Sequence, residues 1–263
     1  MTDDTAGNDT TSPPSTAPTG ALAGRRVLVV GASAGIGRSF AAAAAGEGAM
    51  VAVSARRPEP LDELVAGGGA HHAFVGDAAV PADARRVADE AAASMGGLDL
   101  VMYAAGYGVL QRLVDTDPEV WTDVYRVNVV GANVSTAAAL PHLGSDGVVA
   151  YLSSRTADDC NALFTSYSAS KAALDQCIRA WRIEHPDRRF VRIVMGNCQP
   201  TEFANQMNLD LLGDALEAWE RQAIPGGMMH VDDVGLSMAR SLGVVLAHPD
   251  IDSSELKLDA RTR

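Results

Sequence analysis

The chain has 263 residues and carries 21 Lys and Arg against 33 Asp and Glu, a formal net charge of −12, with 47% apolar and 21% charged residues. That length and composition suit one large α/β domain or two small ones with a substantial core, and they exclude a wholly disordered chain. The acidic balance argues against a nucleic-acid or anionic-membrane partner, and no apolar stretch approaches the roughly 18 residues of a membrane span.

Residues 1–20 are rich in Thr, Pro, Gly and Asp and have no large apolar residue after Met1. Such a segment cannot offset its ordering entropy, so a disordered tail is expected. It also lacks a basic and then apolar signal segment, which points to the cytoplasm. From residue 21 to 263 short apolar runs alternate with helical stretches, the βαβ rhythm of a parallel sheet. The spacing predicts strands over Val27–Val30, Met50–Ser54, His72–Val75, Leu98–Tyr103, Val148–Ser153, Phe190–Met195 and Leu256–Leu258. Several are apolar throughout, as strands covered by helices on both faces must be. Helices are predicted over Ile36–Glu47, Pro81–Met95, Pro118–Leu140, Ser166–Glu184 and Val231–Leu246, with Asp117-Pro118 as a helix start. The result is a single doubly wound α/β domain. His71-His72 reads as a strand entrance. Cys160, Cys177 and Cys198 are widely spaced and odd in number, so free thiols and no metal site are expected.

Two stretches carry chemistry. The first strand runs straight into Gly31-Ala32-Ser33-Ala34-Gly35-Ile36-Gly37, which opens a helix. Glycines let a pyrophosphate approach the backbone, and the helix N-terminus supplies unpaired N–H groups and a favourable dipole. The plainer alternative is a tight turn. The second strand ends in Ala55-Arg56-Arg57, where an NAD site would place Asp or Glu for the ribose hydroxyls. Guanidinium groups match a 2′-phosphate, so NADP(H) is expected ahead of NAD(H), with Arg56 the main contact and Arg57 secondary. Arginines standing on a strand end with no ligand are the alternative. The other stretch is Tyr167-Ser168-Ala169-Ser170-Lys171. On a helix, positions i and i+4 share a face, so phenol and ammonium project together, and the cation favours phenolate. Ser154 precedes them at the C-terminal end of a buried strand, where ligands sit in parallel sheets.

With these residues in place, the chain resembles the short-chain dehydrogenase/reductase family, in its branch of about 250 residues, from Ala21 to the C-terminus. Gly31, Gly35 and Gly37 match its glycine motif, with Ser33 and Ile36 between them. The resemblance implies a Rossmann fold and a tetrad of Asn128, Ser154, Tyr167 and Lys171. Ser154 would polarise a carbonyl, Tyr167 would move the proton, Lys171 would lower the tyrosine pKa and hold the nicotinamide ribose, and Asn128 would hold a relay water. It further implies that Asp77, with Ala78 beside it, meets the adenine, that Gly106 lines the cofactor, and that Thr201 bonds the carboxamide. The chain departs from the family pattern at Val30, where Thr is usual. It does so again at Tyr103-Ala104-Ala105-Gly106, where NNAG is usual, and at Gly196-Asn197, where Pro-Gly is usual.

Residues 201–227 leave the βαβ rhythm and carry Phe203, Met207, Leu209, Leu211, Leu212, Trp219 and Ile224 among polar residues. At this place relatives carry a lid, with Gly213, Gly226 and Gly227 as flexible points; simple packing of the apolar face on the domain is the alternative. Neighbouring loops add Tyr107, Leu110, Leu163 and Phe164, with Arg112 and Arg155 as cations, a lining suited to a mainly apolar ketone. The expectation is an NADP(H)-dependent oxidoreductase acting on a small-molecule ketone or secondary alcohol. Its competitors are a catalytically silent NADP(H)-binding sensor or scaffold and, within enzymes, an epimerase or dehydratase. A homodimer or homotetramer is implied by resemblance, through the helices at Pro118–Leu140 and Ser166–Glu184, with Ala132, Ala137, Ala138 and Ala139 allowing close approach.

Overall fold

The computed structural model describes residues 19–261. The tail expected over 1–20 lies outside the described residues apart from Thr19 and Gly20.

Seven strands form one sheet in which every pairing is parallel: β1 (Arg26–Val30), β2 (Met50–Ala55), β3 (His72–Val75), β4 (Leu98–Tyr103), β5 (Leu143–Ser154), β6 (Arg189–Met195) and, in this sheet, the last strand of the chain (Glu255–Leu258). The spatial order is β3-β2-β1-β4-β5-β6 followed by that last strand. The chain reverses direction across the sheet between β1 and β4, and a crevice for a ligand opens at such a switch point. The expected strands are all present, β5 starting earlier than predicted.

Helices cover both faces. α1 (Gly35–Gly46), α2 (Pro58–Ala66), α3 (Pro81–Met95), α4 (Pro118–Tyr125), α5 (Ala132–Ala139), α6 (Thr156–Asp159), α7 (Thr165–Glu184), α8 (Leu212–Arg221) and α9 (Val231–Ala247) follow in chain order. On one face Phe40, Leu61, Met238 and Leu242 pack against Val29 and Met102; on the other Val87, Leu174 and Ile178 pack against Val101 and Val149. α1 and α9 approach closely because α9 carries Gly235, where a Cβ would run into the backbone and hydroxyl of Ser39. Ser39 donates to the Val231 carbonyl at 2.9 Å. His71 accepts from the Val51 N–H at 3.1 Å, which makes the histidine pair a strand entrance as expected.

Three local features depart from the expectation. α2 is absent from the predicted helices; its Pro58 and Pro60 both stand in the first helical turn, where the missing N–H has no partner to lose. The predicted helix Pro118–Leu140 is interrupted by a π-turn over Arg126–Gly131, which joins α4 to α5. The segment after β6 is anchored at both ends by a two-stranded parallel pairing of β7 (Cys198–Gln199) with β8 (Met229–His230), so the closing strand of the main sheet is β9. Of the four alanines expected at an oligomer face, Ala132 and Ala139 are buried in this chain's own core.

Candidate active site

The C-terminal ends of β1, β4 and β5 set the position of the site: Val30, Tyr103 and Tyr151 stand side by side in register, and β5 runs three residues further to Ser154.

At the β1 end the cradle is made of backbone. Gly31 has a φ of 90° and Gly35 a φ of 55°, conformations that favour glycine. A Cβ on Gly31 would strike the Ala105 backbone, and one on Gly37 would strike the Gly31 carbonyl. Ala34, at the N-cap of α1, offers no side-chain acceptor, and the first turn holds no acid. The leading N–H groups of α1 therefore lack a side-chain partner and carry the positive end of the helix dipole, which is what a pyrophosphate requires. At the end of β2, Arg56 is exposed and pairs with no acid among the described residues. Arg57 is engaged instead, bonding Ser33 Oγ at 3.3 Å and Glu202 Oε2 at 2.6 Å. Asp77 accepts from the Ala79 N–H at 2.9 Å and meets Arg126 at 3.3 Å, which fixes the loop that carries Ala78.

The β5–α7 end is made of side chains. The π-turn carries Asn128, fully buried, whose amide clamps both backbone groups of Tyr107 at 2.8 Å and donates to Ser170 Oγ at 2.8 Å. Both of its N–H groups are thus committed. Where the family has NNAG, Tyr103 donates its buried hydroxyl to the Val127 carbonyl at 2.6 Å, bracing the π-turn directly before Asn128. A Cβ at residue 131 would collide with that hydroxyl, which accounts for Gly131. Gly106 lies open toward Asn128 Oδ1 and Lys171 Nζ, with a Cβ there standing 3.8 and 3.9 Å away.

Ser154 Oγ accepts from the Thr156 N–H at 3.2 Å and from Thr156 Oγ1 at 3.1 Å. With two donors aimed at its lone pairs, the serine's own proton is left to donate outward. Tyr167 stacks on Phe164 at 4.5 Å between ring centroids and meets Phe203 at 5.2 Å. Burial pushes its phenol pKa up, and the adjacent Ser154 hydroxyl only partly opposes that. The Lys171 ammonium is buried and lies 5.5 Å from the Tyr167 ring centroid, donating to the Leu152 carbonyl at 2.7 Å. Burial also brings its own pKa down to about 8.

The segment over 201–227 lies across both ends. Thr201 faces the glycine loop, a Cβ on Gly35 standing 3.3 Å from its Cβ; Glu202 holds Arg57, and Phe203 packs on Tyr167. Phe203, Met207, Leu211, Leu212 and Trp219 join Leu110, Leu163 and Phe164 in one apolar cluster. Leu209 is exposed and outside it; Ile224 is half-buried and also outside it. Trp219 Nε1 donates to the Ala162 carbonyl at 2.7 Å. Neither expected cation lines this cluster as a free charge. Arg112 pairs with Asp214 at 2.5 Å, and Arg155 is buried between its neighbour Asp159 and two partners from distant parts of the chain, Asp259 and the Pro225 carbonyl. Among the described residues no group of three or more His, Cys, Asp or Glu is placed to hold a metal ion, and no helix is long and apolar enough to cross a membrane.

The family model described as short chain dehydrogenase matches residues 25–211, from β1 through the tetrad to the start of the covering segment. The chain belongs to the short-chain dehydrogenase family. Among curated proteins it is 33% identical over 178 residues to a glucose 1-dehydrogenase of Gluconobacter oxydans, an alignment covering 64% of this chain and 66% of that protein. It is 35% identical over 165 residues to a short chain dehydrogenase of Pseudocercospora fijiensis, covering 60% of this chain and 53% of that one. The chain thus aligns with about half to two thirds of these relatives' length. Among solved structures, a short chain dehydrogenase from Burkholderia cenocepacia in complex with NADP superposes with a TM-score of 0.76 at 27% identity, covering 90% of this chain and 97% of that one. An alcohol dehydrogenase from Thermococcus sibiricus, complexed with 5-hydroxy-NADP, shares the fold with a TM-score of 0.74 at 22% identity, covering 91% of this chain and 99% of that one. This short-chain dehydrogenase therefore keeps the family's doubly wound frame through the departures at Tyr103 and Gly196-Asn197. Sequence reasoning missed Tyr103 as a brace, Thr156 as the partner of Ser154, and Glu202 as the partner of Arg57. Tyr103 and Glu202 have no signal in spacing, since their partners lie far away in sequence, whereas Thr156 stands two residues after Ser154 and makes a local turn that the sequence could have shown.

Proposed function

We propose that the chain is an NADP(H)-dependent oxidoreductase that interconverts a mainly apolar ketone and its secondary alcohol. The observation that carries this reading is the pair of proton donors at the end of β5. Ser154 is turned into a donor by Thr156, and Tyr167 is held protonated by burial beside it. Two neighbouring hydroxyls, one on β5 and one on α7, suit a carbonyl oxygen that gains negative charge as the carbon is reduced.

The residues fit a nicotinamide dinucleotide. The backbone cradle of Gly31, Gly35 and Gly37, with Ser33 and Ile36, would take the pyrophosphate at the N-terminus of α1. Asp77, Ala78 and Gly106 would border the adenosine and the nicotinamide ribose, and Thr201 the carboxamide. Arg56, unpaired at the end of β2, would hold a 2′-phosphate, with Arg57 second to it because Glu202 already engages it; complexes of the structural neighbours with NADP and 5-hydroxy-NADP support that choice. When bound, the cofactor supplies or accepts the hydride at the carbonyl carbon. In the reductive direction Ser154 donates a hydrogen bond to the carbonyl oxygen and Tyr167 gives it a proton. Lys171, charged below about pH 8, stabilises the phenolate left behind. Asn128 fixes Tyr107 and Ser170 and so holds the floor on which Tyr167 and Lys171 stand.

Substrate class follows from the cover. Phe164, Phe203, Trp219 and Leu110 surround Tyr167 with aromatic and aliphatic surface, and the nearby arginines are consumed by acids. Residues 201–227 act as a lid in this proposal, and a cyclic or aromatic ketone suits the space beneath it better than a sugar or a small hydroxy acid. The helical face of α4, the π-turn and α7 is the assembly surface of a homo-oligomer, where Val130 and Ile183 stand exposed. The test is loss of nicotinamide absorbance on mixing protein, NADPH and a panel of ketones. Turnover concentrated among apolar cyclic or aromatic ketones is expected. Tight NADPH binding with no turnover on any carbonyl compound would favour a silent sensor instead.

A further inference from the structure

The tetrad does not use every buried charge around it. Asp175 stands one turn beyond Lys171 on the same face of α7, buried, and its helix face continues the row Tyr167, Lys171, Asp175. An acid at a core-facing position must be paired to remain charged. Asp175 Oδ1 accepts from Ser153 Oγ at 2.6 Å, and Oδ2 meets Arg192 of β6 at 2.7 Å. Arg192 in turn bonds Asp158 of α6 at 3.0 Å and Glu255 of β9 at 2.8 Å. Lys171 bonds the Leu152 carbonyl, so α7 grips two consecutive residues of β5 immediately before Ser154.

We propose that Asp175 is a positioning residue of the catalytic site: its carboxylate keeps Lys171 in the ammonium form and staples α7 to the strand end that presents Ser154. This rests on the reading of Lys171 and Ser154 given above. The geometry supplies the reason for a charged rather than a neutral group. Lys171 is enclosed by Tyr167 and Asp175 on α7, by the neutral Asn128 of the π-turn, and by a carbonyl of β5. Arg192 of β6 meets Asp175, with its charge shared among three acids. Asp175 is thus the anion that opposes the effect of burial on Lys171, and Ser153 and Arg192 oppose the effect of burial on Asp175.

A feature of the composition makes this testable without turnover. Lys171 and Lys257 are the only lysines in the chain, and Lys257 is exposed. Labelling the full-length protein with lysine carrying carbon-13 at Cε therefore gives two lysine signals, one reporting the site and one serving as an internal reference for titration. In Asp175→Asn, which keeps the shape and loses the charge, the Lys171 titration is expected about one pH unit lower than in wild type, with Lys257 unmoved. Ser153→Ala removes the hydrogen bond and leaves the carboxylate, so Lys171 is expected to titrate near its wild-type value. Asp175→Ser, which removes the same charge and keeps a polar group beside Ser153, is expected to lower Lys171 likewise, and it decides the matter if Asp175→Asn does not fold. An unmoved Lys171 in either neutral variant at position 175, or an equal downward shift in Ser153→Ala, overturns the proposal. On any ketone the wild type reduces, the alkaline fall of kcat in Asp175→Asn should follow the displaced Lys171 titration. A Lys171 that responds to Asp175 in a protein that reduces no ketone would remove the oxidoreductase reading and leave the Asp175–Lys171 coupling standing.

Discussion

The two ends of the cleft are built from different materials. Around β1 and α1 the surface is backbone, with glycines at positive φ and a helix N-terminus without a side-chain cap, and beside it stands Arg56, which pairs with no acid among the described residues. Around β5 and α7 it is side chain: Asn128, Ser154, Tyr167 and Lys171, each oriented by further buried polar groups. Backbone recognition asks only that nothing larger than hydrogen stand in the way, so it sets few demands on side-chain chemistry nearby, at Val30 included. Proton chemistry asks for groups with shifted pKa values, and those need burial, partners and rigid support. The comparison therefore predicts that the two ends fail separately.

The largest expected effect is at the side-chain end. Tyr167→Phe keeps the ring in its stack on Phe164 and removes the proton, so kcat should fall by about 10²–10⁴-fold while NADPH affinity, measured by fluorescence titration, stays near wild type. Retention of most activity would show that Tyr167 does not carry the proton. The complementary change is Arg56→Ala. A charge-assisted hydrogen bond contributes about 1.5–3 kcal/mol, so NADPH binding should weaken by about tenfold to a hundredfold with NADH nearly unaffected. Equal losses for both cofactors would move the 2′-phosphate away from Arg56.

These two ends were also unequally legible. The strands could be read because residues such as Val27, Val29, Leu100 and Val149 are buried on both faces of the sheet and admit only apolar side chains. The glycine loop and the Tyr167–Lys171 pair could be read because each is local, one a turn into a helix and the other a single helical face. The π-turn could not, since inserting one residue into a helical period leaves the apolar pattern of 118–140 almost unchanged. Nor could the fate of Arg155 be read: it looked like a pocket cation, and its Asp259 partner lies far away in sequence and arrives only when β9 closes the sheet. Asp175 did carry a legible signal, a carboxylate on the buried face of α7 in step with Tyr167 and Lys171.

A smaller effect is expected at the cover, which touches both ends. Phe203→Ala and Trp219→Ala each remove an aromatic contact of about 0.5–1.5 kcal/mol next to Tyr167, so KM should rise by up to about tenfold across an apolar ketone series, with a lesser change in melting temperature. A uniform loss of stability with KM unchanged would make this segment packing alone. Smallest is a stability effect confined to Lys171. It titrates at about 8 in the folded chain against 10.5 for an ordinary lysine, so between those values the unfolded chain binds more protons. The lysine's contribution to the unfolding free energy should then rise with pH across that window. Denaturant melts of wild type and Lys171→Met from pH 7 to 10 should show the gap shifting in favour of wild type; a flat gap would mean that Lys171 keeps an ordinary pKa.

The central claim is that hydride reaches a carbonyl carbon while Tyr167 supplies the proton. Its most direct test is mass spectrometry of the alcohol formed from an apolar cyclic ketone and NADPH deuterated at nicotinamide C4, comparing the two C4 stereoisomers. The account predicts one deuterium at the carbinol carbon from one stereoisomer only, and loss of product formation in Tyr167→Phe. Consumption of NADPH with no deuterium in the alcohol, or full incorporation by Tyr167→Phe, would contradict it.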